Sequence, residues 1–157
     1  MTQQSDHPNI NKNVHPPILA LISIVIAYLL GWAVPLHFAV SLALMYLGLI
    51  LIIIGFLLGL GAFLEFRKVH TTLDPHGSDK ALVTGSVYRF TRNPIYLGFL
   101  LVVIGLPLNS GFYSGILVAP FFMVTLNRLV IEREEAYLEE KFKEQYTSYR
   151  SKVRRWF

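Results

Sequence analysis

Two long stretches without any charged side chain constrain this chain more than any other feature. No Asp, Glu, Lys or Arg occurs between Lys12 and Glu65, and none occurs between Arg92 and Arg128. About 20 apolar residues in a helix span the hydrocarbon core of a bilayer, whereas a small soluble core does not bury apolar runs of this length. Because a bilayer offers no water to pair with the backbone, spanning segments are expected to be helical. The sequence therefore predicts an all-α, polytopic membrane protein.

The overall composition agrees with this prediction and excludes several functions. Apolar residues make up 54% of the 157-residue chain and charged residues 15%, against roughly 25% charged residues in soluble proteins. The absence of cysteine excludes disulfides, thiolate zinc sites and a cysteine nucleophile. The histidines show no metal-ligand spacing, so no metal site is expected. The net charge is only +4, with basic and acidic residues interleaved, so no nucleic-acid partner is expected.

Prolines, glycines and short polar turns divide the apolar runs into four predicted transmembrane helices, over residues 18–34, 40–64, 94–106 and 112–131. Residues 1–17 are expected to form a flexible polar leader, and residues 18–157 a single membrane domain. The third predicted helix is short for a full crossing. In the second helix, Gly55 and Gly59 form a small-xxx-small pair that lets another helix approach closely. This pair also permits a homodimer.

The distribution of lysine and arginine predicts how the helices are oriented. The turns at 35–41 and 107–111 contain none, whereas the loop at 67–93 contains five and the chain from Arg128 onward contains eight. Both termini and the polar loop are therefore expected in the cytoplasm. The loop and the tail would then share one membrane face, where a cytosolic cofactor and a lipophilic molecule can meet.

The tail after the last apolar run is predicted to form an amphipathic helix over residues 132–156. Its apolar positions recur at helical spacing and comprise Leu138, Phe142, Tyr149, Val153 and Trp156. Most basic residues of the tail lie off this stripe, and helices of this kind rest on anionic membrane surfaces. A solvated helix packed against the polar loop fits the same pattern.

The segment that opens the third predicted helix contains candidate binding residues. Pro94 suits the first helical position, and Asn93 before it can act as the N-cap. The positive end of the helix dipole, together with Arg92, favours an anion or a carboxylate. Tyr96 and a gap beside it at Gly98 could accept a flat ring. A purely structural alternative is an interfacial anchor, a cap and an aromatic-belt residue.

A cluster of charges, Glu132-Arg133-Glu134-Glu135, follows the last apolar run. Arg128 and Glu132 are spaced to pair along a helix. Carboxylates this close to a bilayer are costly unless they have partners, which marks them as candidate functional residues. Glu134 or Glu135 could accept hydrogen bonds from a ribose diol or an ammonium group, or could pair with Arg92. A solvated helix start is the alternative.

Together these segments resemble the isoprenylcysteine carboxyl methyltransferase-like family, which is related to the phospholipid N-methyltransferases. The similarity covers about residues 71–156 and combines two motifs in order. The first motif is Leu82-Val83-Thr84-x-Gly85-x-x-Tyr88-Arg89-x-x-Arg92-Asn93-Pro94-x-Tyr96-x-Gly98, and the second runs from Glu134-Glu135-x-x-Leu138 to Val153-x-Arg155-Trp156. Asn93 stands where the eukaryotic carboxyl methyltransferases have histidine, and Lys143 stands where glycine is common.

The resemblance implies an integral membrane enzyme that transfers a methyl group from S-adenosylmethionine to a lipophilic acceptor at the cytoplasmic face. It implies catalytic roles for Arg92 and Glu135. It also implies cofactor contacts from Leu82, Val83, Gly85, Tyr88, Asn93, Pro94, Tyr96, Gly98, Glu132 and Glu134. Membrane lipids and a lipid or other lipophilic substrate are the expected partners.

Two other functions remain open from the sequence. Membrane sterol reductases share a related scaffold with a nicotinamide cofactor, but they usually carry extra helices ahead of the shared part, where this chain has room for two. A non-catalytic membrane adaptor that retains the fold is the second alternative. The sequence leaves the methyl acceptor open between a carboxylate and an amine. The lack of an obvious general base either favours the carboxylate or leaves proton removal from an amine to water.

Overall fold

A computed structural model describes residues 14–34, 41–68 and 81–157. These ranges contain six α-helices: α1 (Pro16–Ala33), α2 (Leu42–Lys68), α3 (Pro94–Asn109), α4 (Ser114–Leu126), α5 (Glu132–Phe142) and α6 (Glu144–Lys152). A 3-10 turn, Ser86–Arg89, precedes α3, and a π-helical turn, Asn127–Ile131, joins α4 to α5. The leader up to residue 13, the predicted turn at 35–40 and residues 69–80 of the predicted cofactor loop lie outside the described residues.

Three helical stretches are long and apolar enough to cross a membrane. They are α1, α2 and the continuous helix Ser114–Phe142, which combines α4, the π turn and α5. Helix α3 is apolar but shorter, with 16 residues. The prediction of an all-α membrane protein is confirmed.

Helices α2 and α3 pack closely because glycines face each other across their contact. A Cβ atom added at Gly98 would lie 2.7 Å from the carbonyl oxygen of Gly55, and one added at Gly55 would lie 2.7 Å from that of Gly98. The expectation that Gly55 admits a neighbouring helix is therefore correct, whereas Gly59 has no such neighbour within 4 Å. The gap for a ring expected at Gly98 is wrong, since the backbone of α2 fills it. A homodimer through the glycine-lined second helix stays a prediction.

Several predicted boundaries are wrong by a few residues: α4 begins at Ser114 rather than 112, and two other helices continue through polar residues or proline. Helix α2 runs to Lys68 rather than 64, and the basic residues of its last turn suit the negative end of the helix dipole. Helix α3 runs to Asn109 rather than 106 and contains Pro107. Pro107 lies in the last turn of this helix, where its own carbonyl accepts from Phe112 N at 2.9 Å and from Ser110 N at 3.0 Å. Helix α1 likewise begins at Pro16, where a missing amide hydrogen costs little.

The tail differs most from its prediction. A single helix over 132–156 is wrong: the chain breaks at Lys143, which has φ 45° and ψ −119°, and after α6 ends at Lys152 the last residues leave helical structure. This backbone conformation belongs to the first central position of a type II′ turn, where glycine is favoured. Lys143 is also the position where the resembled family often has glycine, so the departure noted in the sequence coincides with the break.

We expect Lys143→Gly to stabilise the protein by about 1 kcal/mol. The replacement relieves a positive φ, which costs a residue with a side chain on the order of 1–3 kcal/mol. Part of this gain is lost because glycine gives the unfolded chain more conformational freedom. Unfolding in detergent, followed by circular dichroism, would measure the change. As a control, Ala136→Gly places glycine at an exposed position inside α5 and should destabilise by about 1 kcal/mol. Equal losses in both variants would contradict the strained turn.

Candidate active site

The last five residues return to the segment that opens α3. Arg92 N donates to the Arg154 carbonyl at 2.9 Å, and the carbonyl of Arg155 accepts from Thr91 Oγ1 and from Asn93 Nδ2, both at 3.0 Å. Asn93 stands at the N-cap position as predicted, but its side chain makes no capping hydrogen bond to α3. The predicted cap is therefore wrong. The amide of Asn93 instead joins the tail to the start of α3.

This return brings two arginines onto one buried carboxylate. Arg155 donates from Nε to Glu135 Oε1 at 3.1 Å and from Nη2 to Oε2 at 2.5 Å. Arg92 Nη1 lies 3.2 Å from Glu135 Oε1. The side chains of Glu135 and Arg92 are only 9% and 10% exposed. Of the roles open to the paired glutamates, Glu135 therefore takes the pairing with Arg92.

Arg92 has one further partner and one unused donor. Its Nη1 donates to the hydroxyl of Tyr146 at 3.3 Å. Burial, and then the negative charge of Glu135, raise the pKa of Tyr146 to about 12, so this hydroxyl stays neutral near pH 7. Arg92 Nε is buried and has no hydrogen-bond partner within the described part of the chain. A buried donor without a partner is costly, which makes this atom a candidate ligand contact.

Arg155 keeps its charge in this cluster, because its hydrogen bond to Glu135 raises the pKa of its guanidinium. Two guanidinium groups therefore share the carboxylate of Glu135, and Glu132 adds a further negative charge that acts on Arg155.

The neighbouring Glu134 has different surroundings. Its Oε2 accepts a hydrogen bond of 2.9 Å from the hydroxyl of Tyr96. Tyr96 is buried, whereas Glu134 is half-buried and thus partly accessible. The two adjacent glutamates therefore differ: Glu135 is buried and bound by two arginines, whereas Glu134 is half-buried and accepts a hydrogen bond from a tyrosine.

Comparison with known proteins places the chain in a family. A profile of the phospholipid methyltransferases matches residues 43–145, more than half of the chain, and this range includes Arg92, Tyr96 and both glutamates. The chain belongs to the phospholipid methyltransferase family. It is thus a membrane methyltransferase by family, and the membership predicted from the two motifs is confirmed.

Two known proteins are similar to part of this phospholipid methyltransferase-family chain. An uncharacterised protein of Haemophilus influenzae is 40% identical over 65 residues, which are 40% of this chain and 98% of that protein. The protein-S-isoprenylcysteine O-methyltransferase of Schizosaccharomyces pombe is 31% identical over 84 residues, which are 54% of this chain and 36% of the yeast enzyme. The chain thus spans about a third of the yeast relative.

The polar segment ahead of α3 was predicted to cradle a cofactor in this family member. Val83 and Tyr88 are instead buried in a small apolar cluster with Ala62 of α2. The hydroxyl of Tyr149 donates to the Tyr88 carbonyl at 2.7 Å, which ties α6 to this segment. A side chain at Gly85 would collide with the carboxylate of Glu65. These residues therefore fix the path of the loop, while Leu82 lies half-buried on its surface.

Glu132 is the remaining predicted acidic residue of this family site. It is exposed at the start of α5, and its charge contributes to raising the pKa of Arg155. The expected pairing of Arg128 with Glu132 does not occur among the ion pairs of residues 81–157. Within the described ranges, no cluster of three or more His, Asp or Glu residues could hold a metal ion.

Three residues that contact this cluster or its supporting turn were not among the predicted site residues. Arg155 and Tyr146 belong to the second motif, but only the return of the tail shows that both contact the Arg92–Glu135 pair. Trp156 is buried, and its Nε1 donates to Asn127 Oδ1 in the π turn at 3.1 Å. π turns occur frequently at functional sites. This hydrogen bond joins the end of the tail to the π turn, which directly precedes the helix that carries Glu134 and Glu135.

Proposed function

We propose that this chain is an S-adenosylmethionine-dependent methyltransferase that acts on a lipophilic acceptor, a carboxylate or an amine, at the cytoplasmic membrane face. The contact of 3.2 Å between Arg92 Nη1 and Glu135 Oε1 carries the proposal, because it joins two motifs 43 positions apart in the chain. The similarity to the yeast protein-S-isoprenylcysteine O-methyltransferase supports methyl transfer. The apolar helices support an acceptor delivered from the bilayer.

The side chains of this cluster fit the charges of S-adenosylmethionine. The cofactor carries an ammonium, a carboxylate and a ribose diol beside its sulfonium. Glu134, half-buried and next to the Tyr96 hydroxyl, suits an ammonium or ribose hydroxyl donor. The unpartnered Nε of Arg92 suits a carboxylate. The cluster therefore offers an acceptor and a donor of the required kinds.

Each residue then has a distinct role. Glu134 and Tyr96 bind the cofactor, and Arg92 orients a carboxylate of the cofactor or the acceptor. Glu135 and Arg155 position Arg92 through their ion pairs. Glu132 adds a negative charge near the cofactor side of α5. Leu82, Val83, Gly85, Tyr88, Asn93, Pro94 and Gly98 shape the walls by holding the loop, α2 and α3 together.

When bound, S-adenosylmethionine supplies an electrophilic methyl group, so the protein needs no covalent catalyst. The residues of the chain contribute alignment and exclusion of water, which can account for much of the rate of an in-line transfer. A carboxylate acceptor needs no proton removal, whereas an ammonium acceptor must first lose a proton. The excess of lysine and arginine in the loop and tail supports the cytoplasmic placement.

Titration of the purified protein in detergent with S-adenosylhomocysteine would test the proposal. We expect saturable binding of this product analogue and no binding of NADPH. Membranes containing the protein, incubated with methyl-labelled S-adenosylmethionine, should yield a labelled lipid-soluble product. Binding of NADPH alone would favour a reductase, and the absence of any binding would favour an adaptor.

A further inference from the structure

A second polar site lies outside the Arg92–Glu135 cluster, in a cleft of about 510 Å³ between the polar segment ahead of α3 and helix α6. Five polar side chains line it: Thr84, Arg89, Gln145, Ser148 and Lys152. Tyr149, which is hydrogen-bonded to the Tyr88 carbonyl, forms part of the same wall. The cleft therefore lies between two segments that the hydrogen bond from the Tyr149 hydroxyl to the Tyr88 carbonyl already joins.

Among the described residues, the cationic side chains of this cleft have no acidic partner. Arg89 and Lys152 are both cationic, and no acidic residue lines the walls. Two other basic side chains of the described tail have carboxylate partners: Arg155 pairs with Glu135 and Arg150 with Glu139. Neither Arg89 nor Lys152 forms such a pair in residues 14–34, 41–68 or 81–157. Two neighbouring cations without a counter-charge favour an anion between them.

The neutral side chains of the cleft indicate which kind of anion fits it. The hydroxyls of Thr84 and Ser148 and the amide of Gln145 add hydrogen-bond donors to those of the arginine and the lysine. A phosphate, with several acceptor oxygens, can use more of these donors than a carboxylate can. Leu82 and Val153 add an aliphatic wall, which suits the carbon atoms that flank a phosphodiester.

The position along the chain places the cleft near lipid headgroups. Arg89 precedes Phe90, whose side chain is 79% exposed, and exposed aromatic residues are typical of the membrane interface. Arg92 lies three residues after Arg89, and the charge-free run begins directly after Arg92. This run includes the apolar helix α3. Basic residues at this level attract anionic lipids.

We propose that this cleft binds the phosphate of an anionic membrane phospholipid, which serves as a bridging ligand and is not the methyl acceptor. The phosphate neutralises Arg89 and Lys152 and links the loop ahead of α3 to helix α6. The lipid thereby stabilises the two segments that also hold the Arg92–Glu135 cluster. This role does not depend on the proposed methyl transfer.

Thermal unfolding of the full chain in a neutral detergent tests the proposal. We expect dihexanoyl phosphatidylglycerol to raise the unfolding temperature saturably, because a ligand that binds only the folded state stabilises it. Dihexanoyl phosphatidylcholine should give a smaller rise, and inorganic phosphate should require at least tenfold higher concentration. Arg89→Ala and Lys152→Ala should each weaken the phosphatidylglycerol effect at least tenfold. Arg89→Lys, which retains the charge, should preserve more of it.

Arg154→Ala is the matched control, because Arg154 is an exposed cation of the same tail whose side chain lies outside the cleft. It should leave the lipid effect unchanged. If Arg154→Ala weakened the phosphatidylglycerol effect equally, the lipid would act on the general surface charge and not on the cleft. If the two lipids had equal effects, the proposed recognition of an anion would be wrong. Inorganic phosphate as effective as the lipid would overturn the lipid as ligand. Competition by S-adenosylhomocysteine would assign the cleft to the cofactor instead.

Discussion

Glu135→Ala should destabilise the folded protein by about 3–5 kcal/mol, because removing one partner of a buried ion pair leaves the other charge buried without compensation. Glu135 is the carboxylate shared by Arg92 and Arg155. Arg92 is only 10% exposed and has no other carboxylate within 4 Å among the described residues. Arg155, which is 30% exposed, can turn toward water more easily. Most of the loss should therefore come from Arg92.

The matched control is Glu139→Ala on the same helix. Glu139 also pairs with an arginine, at 2.9 Å from Arg150 Nη1, but the two side chains are 49% and 45% exposed. Exposed ion pairs contribute about 0–1 kcal/mol, so this variant should lose little stability. Unfolding of both variants in detergent, followed by tryptophan fluorescence, measures the difference. A loss in Glu135→Ala no larger than in Glu139→Ala would show that the buried pair does not form.

A double replacement separates the cost of an unpaired charge from the value of the pair. Replacing both Arg92 and Glu135 with leucine should recover part of the stability lost in Glu135→Ala, because buried ion pairs often have apolar substitutes of similar stability. Binding of S-adenosylhomocysteine should not recover, since the Arg92 guanidinium is gone. Recovery of stability without recovery of binding would distinguish the two roles of the cluster.

The helices could be predicted because the bilayer imposes length and apolar character on every spanning segment. The charge-free runs therefore located α1 to α4 within a few residues. The π turn Asn127–Ile131 and the break at Lys143 could not be predicted, since neither changes the apolar pattern. At Lys143 the only signal was the glycine common in the resembled family, which matches the positive φ found there.

The contact between the two motifs could also be predicted, but which of the two glutamates pairs with Arg92 could not. Consecutive residues on a helix point about 100° apart, so only one of Glu134 and Glu135 can face Arg92. Which one does so depends on the helical phase, and the π turn directly ahead of α5 shifts that phase. The sharing of Glu135 with Arg155 depends on the non-helical return of residues 153–157, which leaves no periodic signal.

Glu134→Gln should weaken binding of S-adenosylhomocysteine about 10- to 100-fold, because hydrogen bonds to charged groups contribute about 1.5–3 kcal/mol. The stability should change little, since Glu134 is half-buried and its amide replacement can still accept from Tyr96. Tyr96→Phe removes only the hydroxyl that orients the charged Glu134, so its effect on the cofactor is indirect. It should weaken binding about 3- to 10-fold, which is less than about 1.5–3 kcal/mol for a direct hydrogen bond to a charged group. Calorimetric titration in detergent measures both effects.

Glu139→Gln, one turn further along α5 and paired with Arg150, serves as the control and should bind S-adenosylhomocysteine as the wild type does. The double variant tests whether Tyr96 acts through Glu134. If it does, the combined loss should be smaller than the product of the two single losses, because removing Glu134 leaves the tyrosine nothing to orient. Wild-type affinity in Glu134→Gln would remove this carboxylate from the cofactor site, whereas independent losses would mean that Tyr96 contacts the cofactor directly. Either result would leave the buried Arg92–Glu135–Arg155 cluster intact, because the hydroxyl of Tyr96 bonds to the accessible glutamate of the pair and not to the buried one.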